Sequence, residues 1–459
     1  MKVHLKKYHF IGIGGSGMSS LAQVVKSRGN QVTGSDRSHD RALNDDLFRL
    51  LRDQGIELFP QDGSGLTADT DVVVVSTAIE KDNPDIKKAQ MLGIPVFHRA
   101  KLLAEIFNPS FGIAVGGTSG KSTVTGMISV ILEKAGLDPT VINGGVINSF
   151  QGEQWLGNAR LGTSNMMVIE TDESDGSIVN FSPQVGVITN ISRDHKDVGE
   201  LLSLFHAFVQ SIKGCLVING DCPLAGKIRP QGKRIITYGF AEGDDIKADN
   251  MRMSPDFSQF QVQDTSFQLF LPGRHNVSNA LAAISVARYL DIDPHHMQEA
   301  LEGFRGIKRR LELIGKVNGI SLFDDFSHNP AKIASAIETL RMAGKRLIVI
   351  FQPHGYGPTK FLLEELAEVF NHALLPSDHL FLTKIYDAGG SAERTVSSLD
   401  LLRKVTGPAV QHSPDREGLI SEVKKIARAG DAVVVMGARD DTLSLFVRRL
   451  ARSLQGDEM

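Results

Sequence analysis

The sequence predicts an α/β protein in three consecutive blocks, each built on a parallel sheet with crossover helices. Strand-length apolar runs alternate with helix-length amphipathic segments along nearly the whole chain, the pattern of strand–helix–strand units. Glycine-rich turns stand where a strand gives way to a helix, at Gly12–Gly17 and at Gly116–Gly120. The length, 459 residues, exceeds the roughly 250–300 at which one hydrophobic core stops growing, so several domains are expected.

The first block opens with a strand at His9–Ile13, turns through glycines and continues as a helix from Met18 to Arg28. Val32–Gly34, Val72–Val75 and Pro95–Phe97 read as its further strands. The second block opens at Phe111–Val115, followed by the Ser122–Ala135 helix and strands at Met166–Glu170, Val185–Asn190 and Cys215–Asn219. Gly243–Pro272 alternates over short segments and reads as an antiparallel excursion before a helix at Asn276–Leu290. Ser321–Asp324, Arg346–Phe351, His379–Leu382 and Ala432–Met436 are the expected strands of the third block. Domain boundaries fall near 109 and 307, giving domains at 1–109, 110–307 and 308–459.

Composition narrows the function. Lys and Arg number 50 against 53 Asp and Glu, a net charge of -3, so no overall basic field draws nucleic acid or an anionic membrane. No apolar run approaches the roughly 20 residues that cross a bilayer. Two cysteines, Cys215 and Cys222, make no disulfide framework and fit a reducing compartment. The basic N-terminus runs into a glycine turn rather than a cleavage site, so a cytoplasmic enzyme is expected, monomeric or weakly homodimeric.

The second turn, Val115-Gly116-Gly117-Thr118-Ser119-Gly120-Lys121-Ser122-Thr123, has the form of a phosphate-binding loop between strand and helix. Its N–H groups would cradle phosphates, Lys121 would reach the terminal ones and the Ser122 hydroxyl would hold Mg²⁺. It departs from the general pattern in carrying Val115 where a first glycine is usual. The first turn, Gly12-Ile13-Gly14-Gly15-Ser16-Gly17, with Asp36 after the second strand, suits close approach of a diphosphate and an acid on a ribose hydroxyl. That spacing alone does not separate NAD from another nucleoside diphosphate. Two such turns in separate blocks suggest one nucleotide as substrate handle and another as energy source.

Acidic residues gather at the carboxyl end of the Met166–Glu170 strand, in Glu170-Thr171-Asp172-Glu173-Ser174-Asp175, where a cation bridging to ATP would offset their repulsion. The polar stretch Thr189–His195 ends the next strand, and Asn276 and Asn279 open a helix. Arg309, Arg310, Asp324, Asp325 and His328 open the third block, where Arg310 would neutralise a transferring phosphoryl group and an aspartate would accept from a ribose or an attacking amine.

Taken in order, GIGGSGMSSLA from Gly12, GSD from Gly34, GGTSGKST from Gly116, NGG from Asn143, TDESDGS from Thr171, TNISRDH from Thr189, PGRHNVSNA from Pro272, KRRLE from Lys308, DDFSHNP from Asp324 and FQPH from Phe351 resemble the Mur ligase family. These are ATP-dependent amide-bond ligases of peptidoglycan precursor synthesis, and the resemblance covers nearly the whole chain. It implies a Rossmann-like N-terminal domain, a central P-loop ATPase domain with a parallel sheet and a C-terminal Rossmann-like domain that binds the incoming amine.

Carried over by residue, Gly14, Gly15, Ser16, Gly17, Met18, Asp36, Ser76, Thr77 and Ala78 would hold a UDP-sugar rather than NAD. Gly117 to Thr123, Asn276, Asn279, Arg310 and Asp325 would bind ATP. Ser122, Glu173 and His195 would hold Mg²⁺, and Lys121, Glu173, His195, Arg310 and His328 would be the catalytic set. The implied reaction joins L-alanine to UDP-N-acetylmuramate through an acyl phosphate, releasing ADP and phosphate.

Three departures bear on the acceptor and the loop. Gly355 and Pro358 stand where amino-acid ligases of this family carry arginines, leaving Lys360 as the cation after FQPH. Ser119 replaces a loop histidine, and Asn329 replaces the second histidine of the motif at Asp324. A peptide acceptor, L-Ala-γ-D-Glu-meso-diaminopimelate, is the alternative within the family. An NAD-binding dehydrogenase or a catalytically silent nucleotide-binding regulator is the alternative outside it.

Overall fold

A computed structural model describes residues 5–43, 45–152, 156–192, 197–228, 230, 232–344, 346–387, 393–438, 440 and 442–456. The chain forms two compact units: residues 1–251, 259–270 and 276–307, and residues 252–258, 271–275 and 308–459. No helix among the described residues is long and apolar enough to cross a membrane.

In the first unit a five-stranded parallel sheet runs in the order Glu57–Phe59, Gln31–Ser35, Lys7–Ile11, Val72–Val75, Val96–His98. The chain winds to one side of Lys7–Ile11 and then to the other. The carboxyl end of that strand is therefore the switch point at which open α/β sheets take ligands. The strand ends at Ile11 rather than Ile13, because Gly12 and Ile13 both turn their N–H groups to the Ser35 carbonyl, at 2.8 and 3.1 Å.

An eight-stranded sheet follows, in the order Ile246–Lys247, Arg234–Gly239, Cys215–Asn219, Val185–Ile188, Phe111–Gly116, Met166–Glu170, Thr140–Ile142, Ala159–Arg160. Only its last pairing is antiparallel. Phe111–Gly116 lies inside this sheet, with the acid-bearing Met166–Glu170 strand on one side and Val185–Ile188 on the other. One buried cluster runs through both sheets: Phe10, Leu102 and Phe107 belong to it together with Ala114, Ile142, Phe181 and Phe208. Phe107 meets Phe181 edge to face at 5.7 Å between ring centres. The stretch read as an antiparallel excursion is a three-stranded sheet in sequence order, Asp249–Met253, Ser258–Val262 and Thr265–Leu269.

The second unit holds a six-stranded sheet in the order Glu312–Val317, Ile320–Asp325, Asp431–Met436, Arg346–Phe351, His379–Leu382, Ala409–His412. The Glu312–Val317 pairing is antiparallel and the others are parallel. Ile320–Asp325 and Asp431–Met436 are buried along their whole length, as strands covered on both faces must be. Side chains alternate between the faces: Leu347, Val349 and Phe351 pack with Ile333 and Phe370, whereas Ile348 and Ile350 pack with Leu419, Phe446 and Leu450.

Candidate active site

The first glycine turn leads into the Ser16–Ser27 helix, whose N-cap is Gly15 with no side chain to occupy the free N–H groups. Asp36 organises the turn: one carboxylate oxygen accepts from the Gly14 N–H at 2.9 Å and the other from the Ser38 N–H at 2.7 Å. The Ser16 hydroxyl donates to the Gly144 carbonyl at 2.6 Å, in the NGG segment after the Thr140–Ile142 strand. Asn158 tightens the same seam, donating to the Ser16 carbonyl and the Ser19 hydroxyl at 2.9 Å each and accepting from Gln23 at 3.1 Å.

The second turn depends on backbone that only glycine supplies. Gly117 has φ of +135°, and a Cβ there would sit 2.0 Å from the Thr189 hydroxyl. Gly120, the left-handed N-cap of the Lys121–Lys134 helix, leaves no room either, since an added Cβ would lie 2.6 Å from Asn279 Oδ1. The neighbouring strand ends at Ile188 instead of Asn190 because its next residues turn onto this loop. The Thr189 hydroxyl and the Asn190 amide both donate to the Ser119 carbonyl, at 2.6 and 2.9 Å, and Asn190 Oδ1 accepts from the Ser119 N–H at 3.0 Å. Thr118 is fixed from the same side by Ser192, whose N–H donates to its hydroxyl at 3.0 Å.

Lys121 sits among acids. Its ammonium donates to both Glu173 oxygens, at 3.0 and 2.8 Å, and to the Gly117 carbonyl at 2.7 Å. Burial opposes its charge, but Glu173, Glu170 and Asp172 outweigh burial and hold its pKa above the ordinary lysine value. For Glu173 burial prevails over the pairing, and its carboxyl lies above the ordinary glutamate range. Asp172 is also opposed by burial, yet Ser174 and the Lys121 charge bring it below the usual range. The Ser122 hydroxyl and the Gly144 N–H both donate to Glu170 Oε2 at 2.8 Å.

The first turn and Lys121, at the end of the second, line one cleft of about 340 Å³. Gly15 to Met18 and Ser76 line it from the first sheet, Lys121, Asn143, Gly144 and Glu170 from the second. Arg99 lines it as well, and the sequence reading missed this residue. The available signal was electrostatic: Arg99 is the first residue of the Arg99–Phe107 helix, at the end where the helix dipole disfavours a cation. Its partners, Asp172 and Asp175, lie more than 70 residues downstream, each 3.3 Å from Nη2.

Thus Lys121, Ser122, Glu173, Asn276 and Asn279 come together in the first unit, with Asn279 against Gly120 and 3.4 Å from Asn276. Thr123 follows in the first turn of the helix. Thr77 and Ala78 occupy the turn after Val72–Val75, closed by the Ile79 N–H on the Ser76 carbonyl at 3.2 Å. His195 lies outside the described residues. Among the described residues no group of three or more His, Cys, Asp or Glu side chains is arranged around a metal position. The acceptors beside the loop, Glu170, Glu173 and the Ser122 hydroxyl, are all oxygens, the donor type that a hard divalent cation takes.

The second unit holds Arg310, Asp325 and His328. Arg309 and Leu311 both take positive φ, +60° and +46°, so Arg310 is presented between two left-handed residues, a strained conformation for branched or bulky side chains. Its guanidinium lies 4.9 Å from the centre of the Phe326 ring. Asp325 accepts from the Leu311 and Ser327 N–H groups at 2.7 and 2.8 Å, and burial pushes its carboxyl above the ordinary range against those donors and Arg310. The His328 and His354 rings meet edge to face at 5.5 Å. Gly355 opens the short Tyr356–Phe361 helix, in which Lys360 donates to the Thr395 hydroxyl at 3.2 Å. Arg394, a second cation here, stands 5.8 Å from the Tyr356 ring and is paired with Asp387 at 2.7 Å.

Compared with known proteins, residues 7–110 match the Mur ligase family catalytic domain, residues 115–287 the Mur ligase middle domain and residues 309–439 the Mur ligase glutamate ligase domain. The chain is 39% identical over 459 residues to the UDP-N-acetylmuramate–L-alanine ligase of Agrobacterium fabrum, covering 95% of this chain and 94% of the relative. The solved UDP-N-acetylmuramate–alanine ligase of Thermotoga maritima aligns with a TM-score of 0.80 at 26% identity, over 99% of this chain and 100% of that one. A murein peptide ligase of Psychrobacter arcticus aligns with a TM-score of 0.73 at 25% identity, over the same shares.

Proposed function

The chain belongs to the Mur ligase family of ATP-dependent amide-bond ligases, and from that premise we propose that it joins L-alanine to UDP-N-acetylmuramate in peptidoglycan precursor synthesis. The observation that carries this reading is the cleft lined both by the first glycine turn and by Lys121 of the second. A sugar nucleotide on Gly14 to Met18, Asp36 and Ser76 to Ala78 would present its lactyl carboxylate to a phosphoryl donor on Gly117 to Thr123. Membership in a ligase family sets aside the dehydrogenase reading of the first turn.

The residues then divide the work. A carboxylate is a poor electrophile, so its oxygen attacks the γ-phosphoryl group, ADP leaves, and the resulting acyl phosphate is open to an amine. Lys121 releases Glu173 and follows the phosphoryl charge, and Arg310 would neutralise it. Asn276 and Asn279 hold the adenine, Asp325 completes the ATP site and His328 faces the substrates. Ser122 and Glu173, with His195, would hold Mg²⁺, which supplies charge neutralisation at the phosphates. The deprotonated amine of L-alanine attacks the acyl carbon and phosphate leaves, forming the amide.

The test is phosphate release with ATP, Mg²⁺ and UDP-N-acetylmuramate against a panel of amino acids and then the tripeptide L-Ala-γ-D-Glu-meso-diaminopimelate. Turnover with L-alanine alone is expected. Turnover with the tripeptide alone transfers the chain to peptide recycling, and silence from protein that binds ATP refutes both acceptors and leaves a regulator.

A further inference from the structure

We propose that Arg99 binds the diphosphate of the sugar nucleotide, resting on Asp172 and Asp175 in the free protein and exchanging them for the ligand; the inference depends on the sugar-nucleotide reading above and adds a binding residue to it. Nη2 faces the acids and makes both ion contacts, each at 3.3 Å. Charge-assisted pairs usually close to about 2.7–2.9 Å, and a bidentate fork uses two nitrogens, so this contact is loose. The Gly17 backbone lies against the guanidinium: a side chain added there would begin 3.3 Å from Nη1, 3.6 Å from Cζ and 3.8 Å from Nε, over the flat face of the group. An anion seated at that turn would therefore lie within one side-chain rotation of the guanidinium N–H groups, without any movement of the Arg99–Phe107 helix.

Charge in the cleft requires such a residue. Glu170 and Asp172 line it beside Lys121, and Lys121 is already engaged by Glu173. A diphosphate entering past those carboxylates needs a cation of its own, and among the described residues lining the cleft Arg99 is the remaining one. Asp175 is almost fully buried while Asp172 is partly open, with relative exposures of 8% and 38%. The acids thus hold Arg99 in place and, in doing so, compete with the ligand.

Equilibrium binding of UDP-N-acetylmuramate, UDP-N-acetylglucosamine and ATP to the full chain separates the possibilities. For Arg99→Met, affinity for both sugar nucleotides is expected to fall at least 10-fold with ATP affinity undiminished, and Arg99→Lys to recover part of the loss. For Asp175→Asn, removal of the competitor is expected to tighten both sugar nucleotides 2- to 5-fold, whereas a purely structural tether would weaken them. Unchanged sugar-nucleotide binding by Arg99→Met overturns the proposal. So does a loss confined to UDP-N-acetylmuramate, which would put Arg99 on the lactyl carboxylate. Should Arg99→Met lose ATP as well, Asp175→Asn decides: tighter binding supports the exchange, and unchanged or weaker binding refutes it. If the unaltered protein binds neither sugar nucleotide, the functional reading fails instead.

Discussion

Lys121 and Glu173 show how one buried pair serves two states. In the free protein each satisfies the other, and an unpaired charge in that position would cost several kcal/mol. On the proposed reading ATP replaces Glu173 as the partner of Lys121, and Lys121 is the residue that would move between them. Lys121→Met should lower the rate of phosphate release at least 1000-fold, measured under saturating substrates, and Lys121→Arg should restore little of it, because a planar fork does not fit a point-charge site. Gly117→Ala is the complementary change. A Cβ 2.0 Å from the Thr189 hydroxyl forces the loop off the strand that supports it, so ATP affinity should fall more than 100-fold and the thermal midpoint should drop with it. Normal ATP binding by that variant would mean that the loop rebuilds around the methyl group. At this scale the sequence is legible where chemistry is local: strand, glycines, lysine and hydroxyl are consecutive in Gly116–Thr123. Arg99 is not, because its meaning comes from Asp172, Asp175 and Gly17, which adjoin it only in the fold.

The strands repeat that contrast one level up. Val72–Val75, Met166–Glu170, Cys215–Asn219, Arg346–Phe351 and His379–Leu382 lie where their apolar runs predict, since burial on both faces leaves an unbroken signal. Glu57–Phe59, Arg234–Gly239 and Ala409–His412 escape the same reading. Each has at least one exposed residue, and Glu57–Phe59 and Ala409–His412 are outermost in their sheets, so polar side chains break their pattern. One buried carboxylate ties a helix to a strand in the second unit. Asp378, fully buried, accepts from Arg341 at 3.0 and 2.6 Å and from the Leu347 and Leu375 N–H groups at 2.8 and 2.7 Å. Burial opposes its charge, but these donors hold the carboxyl below the usual aspartate range. Its folded pKa being depressed, the stability it contributes is present above the unfolded value of roughly 4 and is lost as pH falls through the folded value. Asp378→Asn should cost about 2–4 kcal/mol at pH 7, at the low end for a broken buried pair because Arg341 keeps some contact with water. Urea titrations at pH 7 and pH 3 would check it: the variant's deficit should shrink at the lower pH, and a constant deficit would show that the carboxylate charge is not the source.

For the molecule as a whole, the proposed sites on one cleft would make the two nucleotides thermodynamic partners. A sugar nucleotide that takes Arg99 leaves Asp172 to Lys121 alone, and the added local negative charge then favours Lys121 and the metal that would accompany ATP. Saturating a non-hydrolysable ATP analogue with Mg²⁺ should tighten UDP-N-acetylmuramate 3- to 10-fold, and the reverse titration should return the same factor. Calorimetry in both orders would reveal it, and a factor of one in either order would mean that the sites act independently. The seam beside the cleft has a different consequence, for inheritance. Ser16 is bonded to Gly144, and Asn158 to Ser16, Ser19 and Gln23, so the first sheet carries half of a lock whose other half is encoded more than 100 residues later. A gene that exchanged its first 109 codons with a cousin would inherit one half without the other, and a viable hybrid has to carry residues 142–158 along with them.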